Sequence, residues 1–292
     1  MSFGRLITAM VTPFDENLNI DWEQTGRIID YLIEEQKSDS LVVSGTTGES
    51  PTLTDDEKVE LFRFAVKHAA GRCKIIAGTG SNETAHSVML TKKAEEVGVD
   101  GALLVAPYYN KPNQEGIYQH FRAIAEGTKL PIIVYNVPSR TITSISVATT
   151  LRLAQIPNII ATKECAGLDQ VTEIVAGAPE GFLVYSGEDS LTLPVLSVGG
   201  YGVISVASHV IGTEMKELIE TYLSGDVQRA IALNQQCYPY FKGLFNCPHP
   251  VPNPVAVKHA LELRGLAVGG VRLPLVRANE EESEFIQALI KA

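Results

Sequence analysis

The sequence predicts an α/β protein, a (β/α)8 TIM barrel with a C-terminal helical extension. Three observations carry that expectation. Short apolar runs, several of them β-branched, recur eight times, as strands buried on both faces of a parallel sheet do. Their starts lie roughly 20 to 35 residues apart, the length of a strand plus a crossover helix. Beyond Gly225 that rhythm stops and only helical patterns remain.

The predicted strands are Leu6–Val11, Leu41–Val43, Lys74–Ala77, Ala102–Val105, Ile132–Tyr135, Ile159–Thr162, Phe182–Tyr185 and Val203–Val206. Between them, Asp21–Lys37 places Trp22, Ile28, Ile29, Leu32 and Ile33 on an apolar face. Thr54 and Glu57 form a capping box ahead of Val59, Leu61, Phe62 and Val66. Asn82–Val97 ends at Gly98, suited to a C′ position. Gln114–Glu126, Ser146–Ala154, Asp169–Ala176, Glu188–Val198 and Thr213–Leu223 complete eight helices. Eight regularly spaced strands exceed what a doubly wound sheet normally uses, and no Gly-rich dinucleotide fingerprint follows the first strand. The barrel is expected over residues 1–224. The extension, 225–292, is expected to hold helices Val227–Phe241, Pro254–Arg264 and Glu280–Ile290, broken by the proline cluster Pro248–Pro254.

Composition narrows the class. The chain has 292 residues, 45% hydrophobic and 20% charged, with a formal net charge of −10. An acidic balance argues against a nucleic-acid surface. No apolar stretch approaches the ~20 residues of a membrane span, and the first residues lack a signal-peptide core. Cys73, Cys165, Cys237 and Cys247 form no C-x-x-C pair and are too sparse for a disulfide framework. The expectation is a cytoplasmic chain with reduced thiols and with neither nucleic acid nor membrane as a partner.

In such a barrel the C-terminal strand ends face the active site. Read in order, they present Thr8, Gly45–Glu49, Gly78–Gly80, Pro107–Asn110, Tyr135–Asn136, Lys163–Glu164, Ser186–Glu188 and Ser205. A lysine there is costly to bury in its charged form, which lowers its pKa and frees a nucleophilic amine. Standing alone, Lys163 reads more readily as a lysine that has simply reached the surface at a strand end. Parity gives it company: if Lys163 points into the barrel, so do Ala161 and Ile159, and Tyr135 on the preceding strand comes within one strand spacing, ~4.8 Å. An amine beside a phenol suits carbonyl chemistry through an imine. Gly45–Ser50 (GTTGES) lacks the P-loop lysine, and its hydroxyls and N–H groups suit either a small carboxylate or a tight turn. Arg140, in the Pro-Ser-Arg-Thr loop, is either a surface arginine or a bidentate carboxylate clamp. The six histidines show no metal-ligand spacing, and imine chemistry requires neither metal nor cofactor.

These motifs together resemble the dihydrodipicolinate synthase (4-hydroxy-tetrahydrodipicolinate synthase) family. That family lies within the pyruvate-dependent aldolase superfamily that includes N-acetylneuraminate lyase. The resemblance covers essentially the whole chain. It rests on GTTGES at Gly45–Ser50, APYYNKP at Ala106–Pro112, YNVPSRT at Tyr135–Thr141 and the strand ending in Lys163, with SGED at Ser186–Asp189 and GGYGVISV at Gly199–Val206.

The resemblance implies a Schiff base between Lys163 and pyruvate, whose enamine attacks L-aspartate 4-semialdehyde; the substrate's amino group then closes the ring. It implies a proton relay of Tyr135, Thr46 and Tyr109, with Tyr109 supplied by a neighbouring subunit. Thr47 would hold the pyruvate carboxylate, Arg140 that of the second substrate, and Gly187 and Ile204 backbone contacts near the imine. A homo-oligomer follows, a tetramer built as a dimer of dimers by analogy. Arg140 and the paired threonines favour the synthase over a sialic-acid lyase or a 2-keto-3-deoxysugar aldolase. Regulated members bind lysine at positions matching Ser50, Pro51, Asp55, Lys58, Asn82, His86 and Tyr108. With His86 and Asp55 in that set, weak or absent lysine inhibition is expected.

Overall fold

In the computed structural model, which describes residues 2–291, eight parallel strands close on themselves in sequence order. They are β1 (Leu6–Ala9), β2 (Ser40–Val43), β3 (Lys74–Gly78), β4 (Gly101–Val105), β5 (Ile132–Asn136), β6 (Ile159–Glu164), β7 (Leu183–Ser186) and β8 (Gly202–Ser205). Each run in the sequence is buried on both sides for one reason. Its inward residues fill the barrel, and its outward residues meet the helices.

Ile7, Val42, Ile76, Leu103, Ile133, Ala161, Tyr185 and Ile204 form the interior cluster. Their outward neighbours, such as Leu41, Ile75, Leu104 and Val134, pack under the helices. Parity holds for Ala161 and fails for Ile159, which belongs to the outer layer. A bulge explains the failure: Ile132 pairs with Ile159, but Ile133 pairs with Ala161, so Ile160 is the extra residue. One inserted residue swaps the face of everything before it.

Helices cap as the sequence indicates. The Thr54 hydroxyl accepts from Glu57 N (3.2 Å), and the Glu57 carboxylate accepts from Thr54 N (2.8 Å), opening the helix Asp55–Ala69. Gln114–Glu126 has the expected limits. Glu83 caps the helix Thr84–Glu96, which starts two residues later than the expected Asn82. The predicted helix over Glu188–Val198 divides into a 3-10 turn, Asp189–Leu191, and a short helix, Thr192–Ser197. Pro138–Thr141, read from sequence as a loop, is one helical turn. Pro138 occupies the first position, where no backbone donor is required.

The last barrel helix begins at Ser208 and is broken at Ile211. Three helices follow: Val227–Gly243, Val255–Leu263 and Glu280–Lys291. They bury Leu233, Phe241, Ala256, Ala260 and Ile286 against Leu6 and Val203, closing over the β8–β1 side of the barrel. Among the described residues no helix is long and apolar enough to cross a membrane.

Candidate active site

Lys163 is the fifth residue of β6 and only 5% exposed. It pairs in register with Tyr135 on β5 and with Tyr185 on β7. Its Nζ lies 4.3 Å from the centre of the Tyr135 ring. Lysine ion pairs among the described residues belong to Lys58, Lys74, Lys216 and Lys258; Lys163 has none. Burial pushes its pKa down, and the Cys165, Asp189 and Glu188 side chains only partly oppose that. Burial pushes the Tyr135 phenol up, so it keeps its proton at neutral pH. The site thus sets an amine inclined to shed its proton against a phenol that holds one.

Gly187, after β7, makes room for the lysine. A Cβ there would stand 2.2 Å from Cys165 Sγ and 3.0 Å from Lys163 Cε. Its N–H donates to Glu164 O at 2.9 Å, which leaves only its carbonyl for a ligand. Cys165, unexplained by the sequence, fills the space beneath Gly187. Burial raises its thiol to about 12, so it stays protonated and inert. Glu164 turns away from the barrel and accepts from Asn136 Nδ2 (2.9 Å), Ala166 N (2.8 Å) and Gln170 Nε2 (3.2 Å). Burial outweighs those bonds and raises its carboxyl to about 7.

Above Lys163 lies a cavity of ≈ 200 Å³ lined by Thr46, Thr47, Tyr135, Arg140 and Gly187. Five of the eight sequence-derived site residues therefore meet Lys163 in one small space. Arg140 is exposed on its single helical turn and pairs with no carboxylate among the described residues. Thr47 is buried, its Oγ1 accepting from Asn253 Nδ2 at 3.0 Å.

Two residues stand apart. Ile204 belongs to the barrel interior, and Val206, two residues on, lines the cavity. Tyr109 is 88% exposed, with φ +72°, and lines neither this cavity nor its neighbour.

That neighbouring cavity, ≈ 540 Å³, shares Thr46, Tyr135 and Arg140 and extends to Ser50, Lys58, His86 and Tyr108. There His86 Nε2 lies 2.8 Å from Asp55 Oδ2, and Lys58 Nζ lies 3.9 Å from Asp55. Sequence reasoning missed Asn253 as a cavity residue, and placed Glu188 at the barrel mouth without giving it a role. Asn253 sits inside the Pro248–Pro254 cluster, and a polar residue locked between prolines was the available signal.

A (β/α)8 barrel with a buried lysine at its mouth, free of ion pairs among the described residues, has the layout that class I, imine chemistry requires. The comparisons with known proteins narrow it. Residues 2–292 match the dihydrodipicolinate synthetase family. The 4-hydroxy-tetrahydrodipicolinate synthase of Bacillus subtilis is 56% identical over 292 residues, 99% of each chain. The solved dihydrodipicolinate synthase of Bacillus anthracis is 51% identical, with TM-score 0.97, covering 100% of this chain and 99% of that one. The synthase of Cyanidioschyzon merolae, solved with lysine bound, is 43% identical with TM-score 0.95, covering 99% and 97%. The chain belongs to the dihydrodipicolinate synthetase family.

Proposed function

We propose that Lys163 is the nucleophile of this family's reaction, the condensation of pyruvate with L-aspartate 4-semialdehyde to 4-hydroxy-tetrahydrodipicolinate. The reaction is the first committed step towards diaminopimelate and lysine. The observation that carries the reading is the buried, unpaired amine of Lys163 against the Tyr135 ring, under a cavity reached by Arg140.

The neutral amine attacks the keto carbon of pyruvate, and loss of water gives the imine. Loss of a methyl proton gives the enamine, whose carbon attacks the semialdehyde's aldehyde carbon. The semialdehyde's amino group then adds to the imine carbon, closing the ring and expelling Lys163 as the free amine. Tyr135, with Thr46 facing it, carries protons to and from the carbinolamine and the new hydroxyl. Thr47 holds the pyruvate carboxylate, and Gly187 and Ile204 offer backbone carbonyls near the imine. Arg140, solvent-facing and unpaired, suits the second carboxylate bidentately. The protonated imine is the electron sink, so the reading calls for no metal or cofactor.

Tyr109 completes the relay in a partner's site; on its own chain it is 88% exposed and lines neither cavity. The working unit is then at least a dimer, and a dimer of dimers by family analogy. The cytoplasm is the setting this reading assigns, and the free state of all four cysteines accords with it. The larger cavity does not favour lysine inhibition, because His86 places a basic ring on Asp55 where an amine ligand would need a free carboxylate.

Borohydride reduction with pyruvate, followed by peptide mapping, tests the reading. A stable adduct on Lys163 is expected; a chain with no adduct contradicts it. Assaying the semialdehyde against sialic acid separates the synthase from a lyase.

A further inference from the structure

The Gly45–Ser50 loop is held from below by residues that take no part in the chemistry. Glu49 closes the loop in the left-handed region, φ +56°, which a non-glycine residue keeps only when its surroundings fix it. Its side chain is buried. Oε1 lies 3.0 Å from Lys258 Nζ, and Oε2 accepts from the Arg272 N–H at 2.9 Å.

Lys258, in the helix Val255–Leu263, is 2% exposed and also donates to Thr12 O (2.9 Å) and Gly270 O. Its three hydrogens thus meet three acceptors. The Thr12 hydroxyl in turn donates to Gly48 O at 2.7 Å. Glu49 N donates to Thr46 O at 3.1 Å, so the tethered residue and the substrate threonines share one turn. Rotating Glu49 out of its fixed conformation would swing Thr46 and Thr47 relative to Lys163.

We propose that the buried Glu49–Lys258 pair is a positioning device, through which the C-terminal helical extension sets the affinity of the barrel mouth for pyruvate. The proposal rests on the reading that Thr46 and Thr47 receive pyruvate beside Lys163. Neither Glu49 nor Lys258 touches substrate. Their effect passes through the loop backbone, where a displacement of ~1 Å at a binding group is enough to cost about a hundredfold. Two charges left in the interior are expensive unless their geometry is good, and here that expense fixes a functional loop.

The test uses the full chain and three variants, Lys258→Met, Glu49→Gln and Leu261→Ala. Glu49→Gln keeps the volume and the Oε1 acceptor, and covers the case in which Lys258→Met does not fold. Leu261, buried in the same helix, serves as a control that loses stability alone. Pyruvate is titrated in the borohydride trap, and KM for each substrate, kcat and melting temperature are measured beside it.

Lys258→Met and Glu49→Gln are expected to raise half-saturating pyruvate about tenfold or more, with full trapping on Lys163 at saturation. Leu261→Ala is expected to melt earlier with wild-type half-saturation. If Glu49→Gln and Lys258→Met only melt earlier, at unchanged half-saturation for pyruvate, the proposal fails and the functional reading stands. If the wild-type chain forms no adduct on Lys163, that reading fails and the proposal falls with it.

Discussion

Lys163 and Lys258 are both buried lysines on which burial presses downward, yet their surroundings differ in the respect that matters. Lys258 has a carboxylate at 3.0 Å and two backbone carbonyls, and its ammonium is held near pKa 8, chiefly by burial set against Glu49. Lys163 has an aromatic face, no ion pair among the described residues and an adjoining cavity. Burial alone does not make a nucleophile. The amine must also lack acceptors that satisfy its charged form and must face space for a substrate.

Breaking that contrast gives graded outcomes. Lys163→Ala is expected to lower turnover by about a thousandfold or more with the fold intact, as checked by steady-state assay and circular dichroism. Tyr135→Phe is expected to lower kcat by about a hundredfold while the adduct still forms slowly, as read by stopped-flow trapping. Mixing Lys163→Ala with Tyr109→Ala chains under subunit exchange is expected to restore about a quarter of wild-type activity. Random dimers place one complete site in each hybrid; no recovery would remove Tyr109 from a shared site.

Stability sharpens the contrast in the opposite direction. Lys258→Met leaves Glu49 buried without its partner and is expected to cost about 3–5 kcal/mol in urea unfolding. Lys163→Met removes an unpaired buried amine and is expected to cost less than about 1 kcal/mol, or to stabilise. Equal costs at the two sites would erase the distinction.

The smallest effect concerns Glu164. Its folded pKa of about 7 lies above the ordinary 4.5, so the folded chain holds this proton more tightly than the unfolded chain does. The resulting stabilisation is full below pH 4.5 and is lost as pH rises through about 7. Wild-type stability is expected to fall by about 1–3 kcal/mol from this group across that window. Glu164→Gln should flatten that part of the profile in urea titrations at several pH values; an unchanged slope would assign it to other groups.

Much of this was legible in the sequence because each feature is local. A barrel strand buried on both faces writes itself as a β-branched run, and its active-site end is the next residue along. Lys163, Tyr135, Thr46, Thr47 and Gly187 were therefore reachable by reading strand ends in order, and Arg140 by the loop that follows Tyr135. The family resemblance supplied the roles of Thr47, Arg140 and Gly187. The outward turn of Ile159 was not, because the bulge at Ile160 is set by pairing with a neighbouring strand. The helical turn Pro138–Thr141 is too short to show a period. Lys258 and Glu49 lie 209 positions apart, and nothing near either of them signals the other. Asn253 reaches Thr47 across 206 positions from a segment that reads only as a helix breaker. Contacts that depend on chain closure leave no local pattern.

The most direct test compares the two lysines in one experiment. The chain is incubated with pyruvate, reduced with borohydride, digested and mapped by mass spectrometry. A pyruvate-derived adduct on Lys163 and none on Lys258 is the expected result. An adduct on Lys258, or none on Lys163, would contradict the account.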